Sequence, residues 1–409
     1  MSAPPYPGLD VYPSVGLYPD APTPPRRLPS ATSFPRRTTQ LRVLFGELRT
    51  GRILGELPAI GAAWAQTLNE AGAVDQVVVT DDVIARLELR RHLLGPKGFL
   101  AMEVDDRIQE AGPVWSFPYD WQTGQLTLGA AGLWSLFDYR RVIPVLAAGQ
   151  RVQDATTTVS NVGYGGIARA LVAQAMQHLG GQLPLVFAPA DTTGQRSETF
   201  PGWQLLTVGQ QLRELTKREA AAPDIRFAPR RNPEDRRFLQ WVMETGTEAR
   251  PQLAQVGADW IFDTTAPRGP VLGISTDGDA TVMGSRVWVT GNGSEQDILV
   301  ATADDPALHD AGYPLLEQEE SRSTVEQQAT LDGHARSLRD RSARPVEVWK
   351  VTVHASAARE VRAGDYARVI TRNHPWLGTG STRMRVRKKS GALTERVVLD
   401  MYPLQAVLS

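Results

Sequence analysis

The sequence predicts a mainly β protein with α/β parts, and three observations predict it. Short runs rich in β-branched and aromatic residues, each closed by glycine or a polar turn, recur from Gln40 to Gly129 and again from Trp260 to Leu404. Between them lie segments whose apolar residues return at helical spacing. No run approaches the ~18 apolar residues that would span a bilayer. At 409 residues the chain exceeds the usual size of one hydrophobic core, so several domains are expected. The expected division is a Pro-rich extended arm over 1–38, a first β-barrel-like domain over 39–153, an α/β domain over 154–250, and a second β-barrel-like domain over 251–409. The last carries a helical insertion near 304–343.

The arm is read from Pro4, Pro5, Pro7, Pro13, Pro19, Pro22, Pro24, Pro25, Pro29 and Pro35, which exclude a helix or a sheet interior because proline lacks the N–H and fixes φ. Two readings of it stay open: a disordered tail, or an arm draped on a neighbour through Tyr6, Tyr12 and Tyr18. Leu41 to Leu48 and Arg52 to Leu57 flank Arg49-Thr50-Gly51 and predict a hairpin. Gln76 to Thr80 predicts a strand, and Asp81 an N-cap for a helix over Asp82 to Leu94. Phe99 to Val104, Val114 to Phe117 and Gln125 to Gly129 follow as strands.

In the middle region Ile167, Leu171, Val172, Ala175 and Leu179 share one helix face that Gly180-Gly181 ends. Val208 to Ala222 predicts a second helix. Ile225 to Phe227 and Phe238 to Met243 predict a strand pair around the polar turn Arg230 to Asp235. Strands then resume at Trp260 to Phe262, Val271 to Ile274, Arg286 to Thr290 and Ile298 to Ala301. Ser323-Thr324-Val325-Glu326 fits a capping box for a helix reaching Arg341. Val346 to Val353, Tyr366 to Thr371, Arg383 to Arg387 and Glu395 to Leu404 complete the strands.

The formal net charge is -1 from 44 basic and 45 acidic residues, so no global charge demands nucleic acid or an acidic membrane. Without cysteine, disulfides, thiolate metal sites and cysteine nucleophiles are excluded. The first residues lack a basic region followed by an apolar core, which leads to the expectation of synthesis in a cytoplasm.

Catalytic motifs are sparse. His92, His178, His309, His334, His354 and His374 form no metal-ligand spacing. His309 and His334 flank Glu317, Glu319 and Glu320, read as a solvated loop. Gly163-Tyr164-Gly165-Gly166 lacks the endings of phosphate-binding loops and reads as a plain helix start. Asp277-Gly278-Asp279 lacks the calcium-loop ligand set and reads as a hairpin turn. Glu103, Asp105 and Asp106 are close in sequence, which does not make an acid–base pair across a cleft. The 10 tryptophans are spread over all regions and suit core and interface anchoring. The expectation is therefore no catalytic, cofactor-binding or metal-binding residue, and no cofactor.

Several short patterns, taken in order, resemble minor tail proteins of actinobacterial phages, of the tail-hub class. They are Leu48-Arg49-Thr50-Gly51-Arg52 with Leu57-Pro58, then Trp64 with Thr67-Leu68-Asn69 and Gly72. Next come Ala111-Gly112-Pro113-Val114-Trp115 and Gly132-Leu133-Trp134-Ser135-Leu136-Phe137-Asp138-Tyr139-Arg140-Arg141. Gly312-Tyr313-Pro314-Leu315-Leu316-Glu317, then Leu331 and His334-Ala335, and Arg362-Ala363-Gly364-Asp365-Tyr366-Ala367-Arg368-Val369 complete the series. Together they cover roughly residues 40–400; the Pro-rich arm departs from the pattern.

The resemblance implies a hub-type architecture: two β-barrel-like domains with inserted α/β domains, assembled as a homotrimer around a channel below the tail tube. It implies copies of the chain itself, a distal tail protein, the tape-measure protein and other tail-tip proteins as partners, in the virion. On Arg383-Met384-Arg385-Val386-Arg387-Lys388-Lys389, strand alternation puts Arg383, Arg385 and Arg387 on one face. The plainer reading is a solvated strand face. The sharper one, which follows from the hub, is a channel lining that passes DNA without sequence readout. A receptor- or glycan-binding tail protein and a tail-associated cell-wall hydrolase remain the alternatives.

Overall fold

The computed structural model describes residues 38–189, 194–218 and 221–404. The expected arm, but for Thr38, lies outside the described residues. The chain forms two compact units, one of residues 275–349 and one of the described residues on either side of that stretch.

The larger unit begins with β1 (Leu41–Glu47), β2 (Ile53–Leu57), β3 (Gly61–Thr67), β4 (Ala73–Thr80), α1 (Asp81–Arg86), α2 (Leu89–Leu93), β5 (Gly98–Val104), β6 (Arg107–Ser116), β7 (Tyr119–Asp120), β8 (Gln125–Ala131) and α3 (Trp134–Phe137). The β1–β2 hairpin turns through Gly51, whose φ of +75° and 2.0 Å clearance between a built Cβ and Leu239 O leave no room for a side chain. The expected helix from Asp82 to Leu94 is broken, because Glu88 takes a left-handed φ of 46°. A straight helix would point Leu89 about 120° away from Val83 at 100° per residue. The break lets both be buried.

The middle stretch supplies β9 (Thr156–Val162), α4 (Tyr164–Met176), β10 (Leu185–Phe187), β11 (Arg196–Pro201), α5 (Val208–Leu215), β12 (Ile225–Arg231) and β13 (Leu239–Thr245). The Thr207 hydroxyl caps α5 by accepting from Gln210 N at 3.3 Å. β12 and β13 pair antiparallel, with β10 parallel on the far side of β13. β14 (Trp260–Asp263) follows, and the chain leaves this unit within β15 (Val271–Asp279). Asp277-Gly278-Asp279, expected as a turn, continues that strand.

The smaller unit holds β16 (Arg286–Thr290), β17 (Val300–Asp304), α6 (Pro306–Asp310), β18 (Glu317–Ser321) and α7 (Gln328–Ser342). Its core is Val287, Val289, Ala301, Leu331 and Ala335. The acidic stretch expected as a solvated loop is β18, parallel to β16 from Arg286↔Glu317 to Thr290↔Ser321. Its polar side chains are held: Gln318 donates to Met283 O at 3.1 Å, Glu317 accepts from Trp288 Nε1 at 2.9 Å, and Glu320 takes Arg322 and Arg341. The expected capping box at Ser323 does not open α7, which starts at Gln328.

The chain returns through β19 (Val346–His354), then α8 (Ala355–Ala358), β20 (Tyr366–His374), β21 (Gly378–Ala392) and β22 (Arg396–Pro403). The fold class is the expected one, mainly β with α/β parts, with one change: no barrel closes. A 14-stranded sheet runs β15-β19-β22-β21-β3-β4-β8-β6-β5-β1-β2, with β14 and β20 joined to it through β21, and β7 through β8. The reason is β3. It pairs antiparallel with β21 from Lys388↔Thr67 to Ala392↔Ala63 and with β4 on its other edge, so the two strand-rich regions continue one another.

One core unites the first strands with the α/β part. Phe99 of β5 meets Trp241 of β13 edge-on with centroids 6.0 Å apart, and Trp241 Nε1 donates to Ala111 O at 3.1 Å. Trp134 and Phe137 of α3 pack on Phe227 of β12. Ile167, Leu171, Leu212 and Leu215 bring α4 and α5 against the same cluster.

Candidate functional site

The basic residues singled out in the sequence lie on β21, and the strand places an aromatic ring beside each. Arg383 and Arg385 stand over Tyr366 at 4.6 and 5.6 Å, and Arg387 over Tyr402 at 5.6 Å. Beyond a bulge between Val386 and Lys388, Lys389 stands over Trp64 at 5.6 Å. Such contacts contribute about 0.5–1 kcal/mol when exposed and about 2 kcal/mol when desolvated.

The three arginines do not form one solvent-facing row. Arg385 is 5% exposed and pairs with Asp224, which is fully buried. Asp224 also accepts from Leu253 N at 2.7 Å and from Asn69 Nδ2 at 3.1 Å, and Asn69 Oδ1 accepts from Ile225 N at 2.8 Å. A buried carboxylate needs a counter-charge and several donors, and Arg385 is drawn inward to supply them. The result is a clasp joining the β3–β4 turn, the start of β12, the segment before β14, and β21. Arg383 keeps partial exposure and pairs with Asp259 at 2.9 Å, which also takes Arg368 at 3.2 Å. Arg387 donates to Tyr402 OH at 2.6 Å and lies 3.7 Å from Glu70.

A second buried polar layer adjoins the clasp. Lys389 Nζ donates to Gln109 Oε1 at 2.5 Å and Val361 O at 2.9 Å. Burial pulls its ammonium down to about 7, with Asp365 and Glu360 acting the other way. Gln66 Oε1 accepts from Ala363 N at 2.9 Å, and Arg226 donates to Ala363 O at 2.6 Å while pairing with Glu244. On β6 the Glu110 carboxyl is wedged between the glycines Gly72 and Gly132, where burial pushes it up to about 8 and the Ala111 N–H opposes the rise. Nothing in the sequence marks Lys389 or Glu110 as buried; they sit among ordinary strand-face charges.

Beside this layer opens a cleft of about 500 Å³ formed by β6, β12 and residues 359–362. Its wall carries Arg107, Arg230, Arg231, Arg236, Arg359 and Arg362. The four lining carboxylates are already engaged. Asp106 takes Arg42 and Glu360 takes Arg107 and Arg359; Glu244 takes Arg226 and Arg362, and Asp105 takes Gln40 N. The cleft gathers arginines from three distant segments. Of these, only Arg230-Arg231 stood out in the sequence, as the start of the polar turn Arg230 to Asp235.

Of the carboxylates weighed as an acid–base pair, Glu103 is structural. Glu103 is buried between Arg42 and Arg231, at 2.8 and 2.6 Å. Among the described residues no group of three or more His, Asp and Glu side chains is placed to hold a metal ion. No helix of the described residues is long and apolar enough to cross a membrane. Of the tryptophans, Trp64, Trp134, Trp241 and Trp349 are buried, while Trp121, Trp203 and Trp376 are exposed.

No protein-family model and no curated protein matches the sequence. Solved structures do match. The 43 kDa tail protein of prophage MuSo2 from Shewanella oneidensis superposes with a TM-score of 0.55 at 11% identity, over 88% of this chain and 97% of its own. The fold is that of phage tail proteins. The tail protein from Neisseria meningitidis MC58 superposes with a TM-score of 0.52 at 15% identity, over 88% of this chain and 96% of its own. A chain of the PdpA–VgrG complex does so with a TM-score of 0.52 at 6% identity, over 91% of this chain and 66% of its own. Tail-protein architecture therefore extends over nearly the whole described chain.

Proposed function

We propose that this chain is a structural subunit of a bacteriophage tail tip, a minor tail or baseplate-hub protein of the actinobacterial-phage kind, and that it acts by assembly rather than catalysis. One observation carries the reading: the fold covers two tail proteins, one of them from a prophage, almost end to end, at 97% and 96% of their lengths. The residues add support. Glu103, Asp224 and Arg385 are tied into buried ion pairs, and Lys389 into buried hydrogen bonds, which stiffen the subunit.

In this reading three copies close a ring that joins the tail tube to the tip and bounds the DNA exit channel. Closure buries the same flank on every copy and sets the bore. The strand regions 39–153 and 251–409 each supply a ring segment, and residues 154–250 form an attached α/β part. Neighbours are a distal tail protein, the tape-measure protein and other tip proteins, and the mature location is the virion tail after synthesis in the host cytoplasm. Arg385 is held by Asp224, so on the basic strand face a passing phosphate backbone would compete with Asp259 for Arg383 and with Tyr402 for Arg387.

Light scattering with negative-stain imaging of the purified protein tests the reading, alone and mixed with its tail-tube neighbours. Hollow trimeric rings are expected. A monomer that persists in both samples overturns it.

A further inference from the structure

We propose that the arginine-lined cleft between β6, β12 and residues 359–362 binds an acidic, partly apolar peptide segment of another protein. The inference stands on the cleft alone and does not require the tail-tip reading.

Charge is the first argument. The six arginines of the wall face four carboxylates, and each carboxylate is already engaged by a guanidinium or a backbone N–H. With the Gln240 amide oriented to accept, Arg230 donates to it at 2.8 Å, which leaves its charge uncompensated. Arg236 is exposed and has no ion pair among the described residues. Like charges gathered in a concave wall raise the local potential and draw in an anion. Planar guanidiniums favour carboxylates and phosphates, which they grip with two parallel donors.

Shape and chemistry choose between those two. Apolar Ile108, Pro229, Val242 and Val361 share the lining with the arginines. A phosphodiester backbone has nothing to set against apolar lining. A peptide whose acidic side chains alternate with apolar ones satisfies both kinds of lining. A volume of about 500 Å³ suits a few residues of such a segment. β12 is the outer strand of its sheet, but Pro229 interrupts the N–H row along it. Recognition therefore rests on side chains and not on an added strand.

Fluorescence anisotropy on the full chain tests this, with a labelled short peptide of alternating glutamate and leucine as probe. The double variant R230E/R236E changes two exposed side chains and is expected to weaken binding at least about tenfold, because rim charge reversal inside the footprint adds repulsion. The variant R90E/R91E makes the same charge change on exposed α2 and is expected to bind as the unmodified protein does. Glutamine in place of glutamate in the probe is expected to abolish binding. Equal affinity of R230E/R236E and the unmodified protein overturns the proposal, as does equal affinity for the glutamine peptide. Displacement by a single-stranded oligonucleotide at lower concentration than by unlabelled peptide assigns the cleft to nucleic acid and overturns it too. Ring formation is read separately by light scattering, so failure here leaves the assembly reading untouched.

Discussion

The larger unit and the unit of residues 275–349 are held together in different ways. In the larger unit, segments far apart in sequence are locked by buried charges: Asp224 with Arg385, Arg226 with Glu244, Glu103 with Arg231 and Arg42. In the smaller unit the charges stay at the rim, as in Arg286 with Asp304, and the interior is five apolar side chains under one helix. A buried ion pair adds little net stability over an apolar pair, but it penalises every arrangement in which one partner is left alone. The larger unit thus gains a defined register among distant strands, and the smaller relies on a thin core of modest strength.

The sharpest way to break this contrast is to remove Arg385. Arg385→Ala leaves the Asp224 charge fully buried without its counter-ion and is expected to cost about 3–5 kcal/mol. Replacing both partners together, Asp224→Asn with Arg385→Met, is expected to recover most of that loss. Urea unfolding of the single and double variants measures it. A loss under about 1 kcal/mol for the single variant would place the pair in the range of solvated surface bridges and remove the clasp from the account.

The next largest effect lies in the smaller unit. Leu331 is fully buried in the first turn of α7, so Leu331→Ala is expected to cost about 2–5 kcal/mol through lost burial and a cavity. In a core of five residues that is a large share of the total. Calorimetry should then show an early transition for residues 275–349 while the main transition stays in place. A single transition moving as a whole would mean that the two units unfold together.

The two units also differ in how far the sequence discloses them. The β1–β2 hairpin, β12 with β13, and β20 to β22 were legible because their residues are β-branched or aromatic and end in turns. β3 was not. Gly61-Ala62-Ala63-Trp64-Ala65-Gln66-Thr67 has low strand propensity, and it is a strand because β21 and β4 pair with it from both sides. Missing it also led to separate barrels instead of one continuous sheet. β18 was hidden for a related reason: Glu317, Gln318, Glu319 and Glu320 look solvated until Met283, Trp288, Arg322 and Arg341 are seen to hold three of them. At the candidate site, alternation alone put Arg383, Arg385 and Arg387 on one face. That Arg385 would be buried depended on Asp224, 161 residues away. Long-range pairing of this kind leaves no local pattern.

The effect that is smallest over any one pH unit is a slope with pH, and it separates the units because both responsible groups belong to the larger one. Glu110 is raised from 4.5 to about 8, so between those values the folded chain holds a proton that the unfolded chain has released. Stability is full below about 4.5 and is lost as pH rises towards 8, by about 1.4 kcal/mol per pH unit for one proton. Lys389 is lowered from 10.5 to about 7, so the unfolded chain holds the extra proton there, and stability rises from about 7 to 10.5. Asp365, also raised by burial, adds a loss of the same sign as Glu110 at the acid end. The main transition should therefore fall from mildly acid to neutral pH, flatten where the two slopes oppose, and recover in base. Glu110→Gln should erase most of the acid-side decline and keep the basic-side rise, read as the melting temperature of the main transition across pH. A decline unchanged in that variant would mean that the Glu110 carboxyl reaches water and that β6 does not seal against Gly72 and Gly132 in solution.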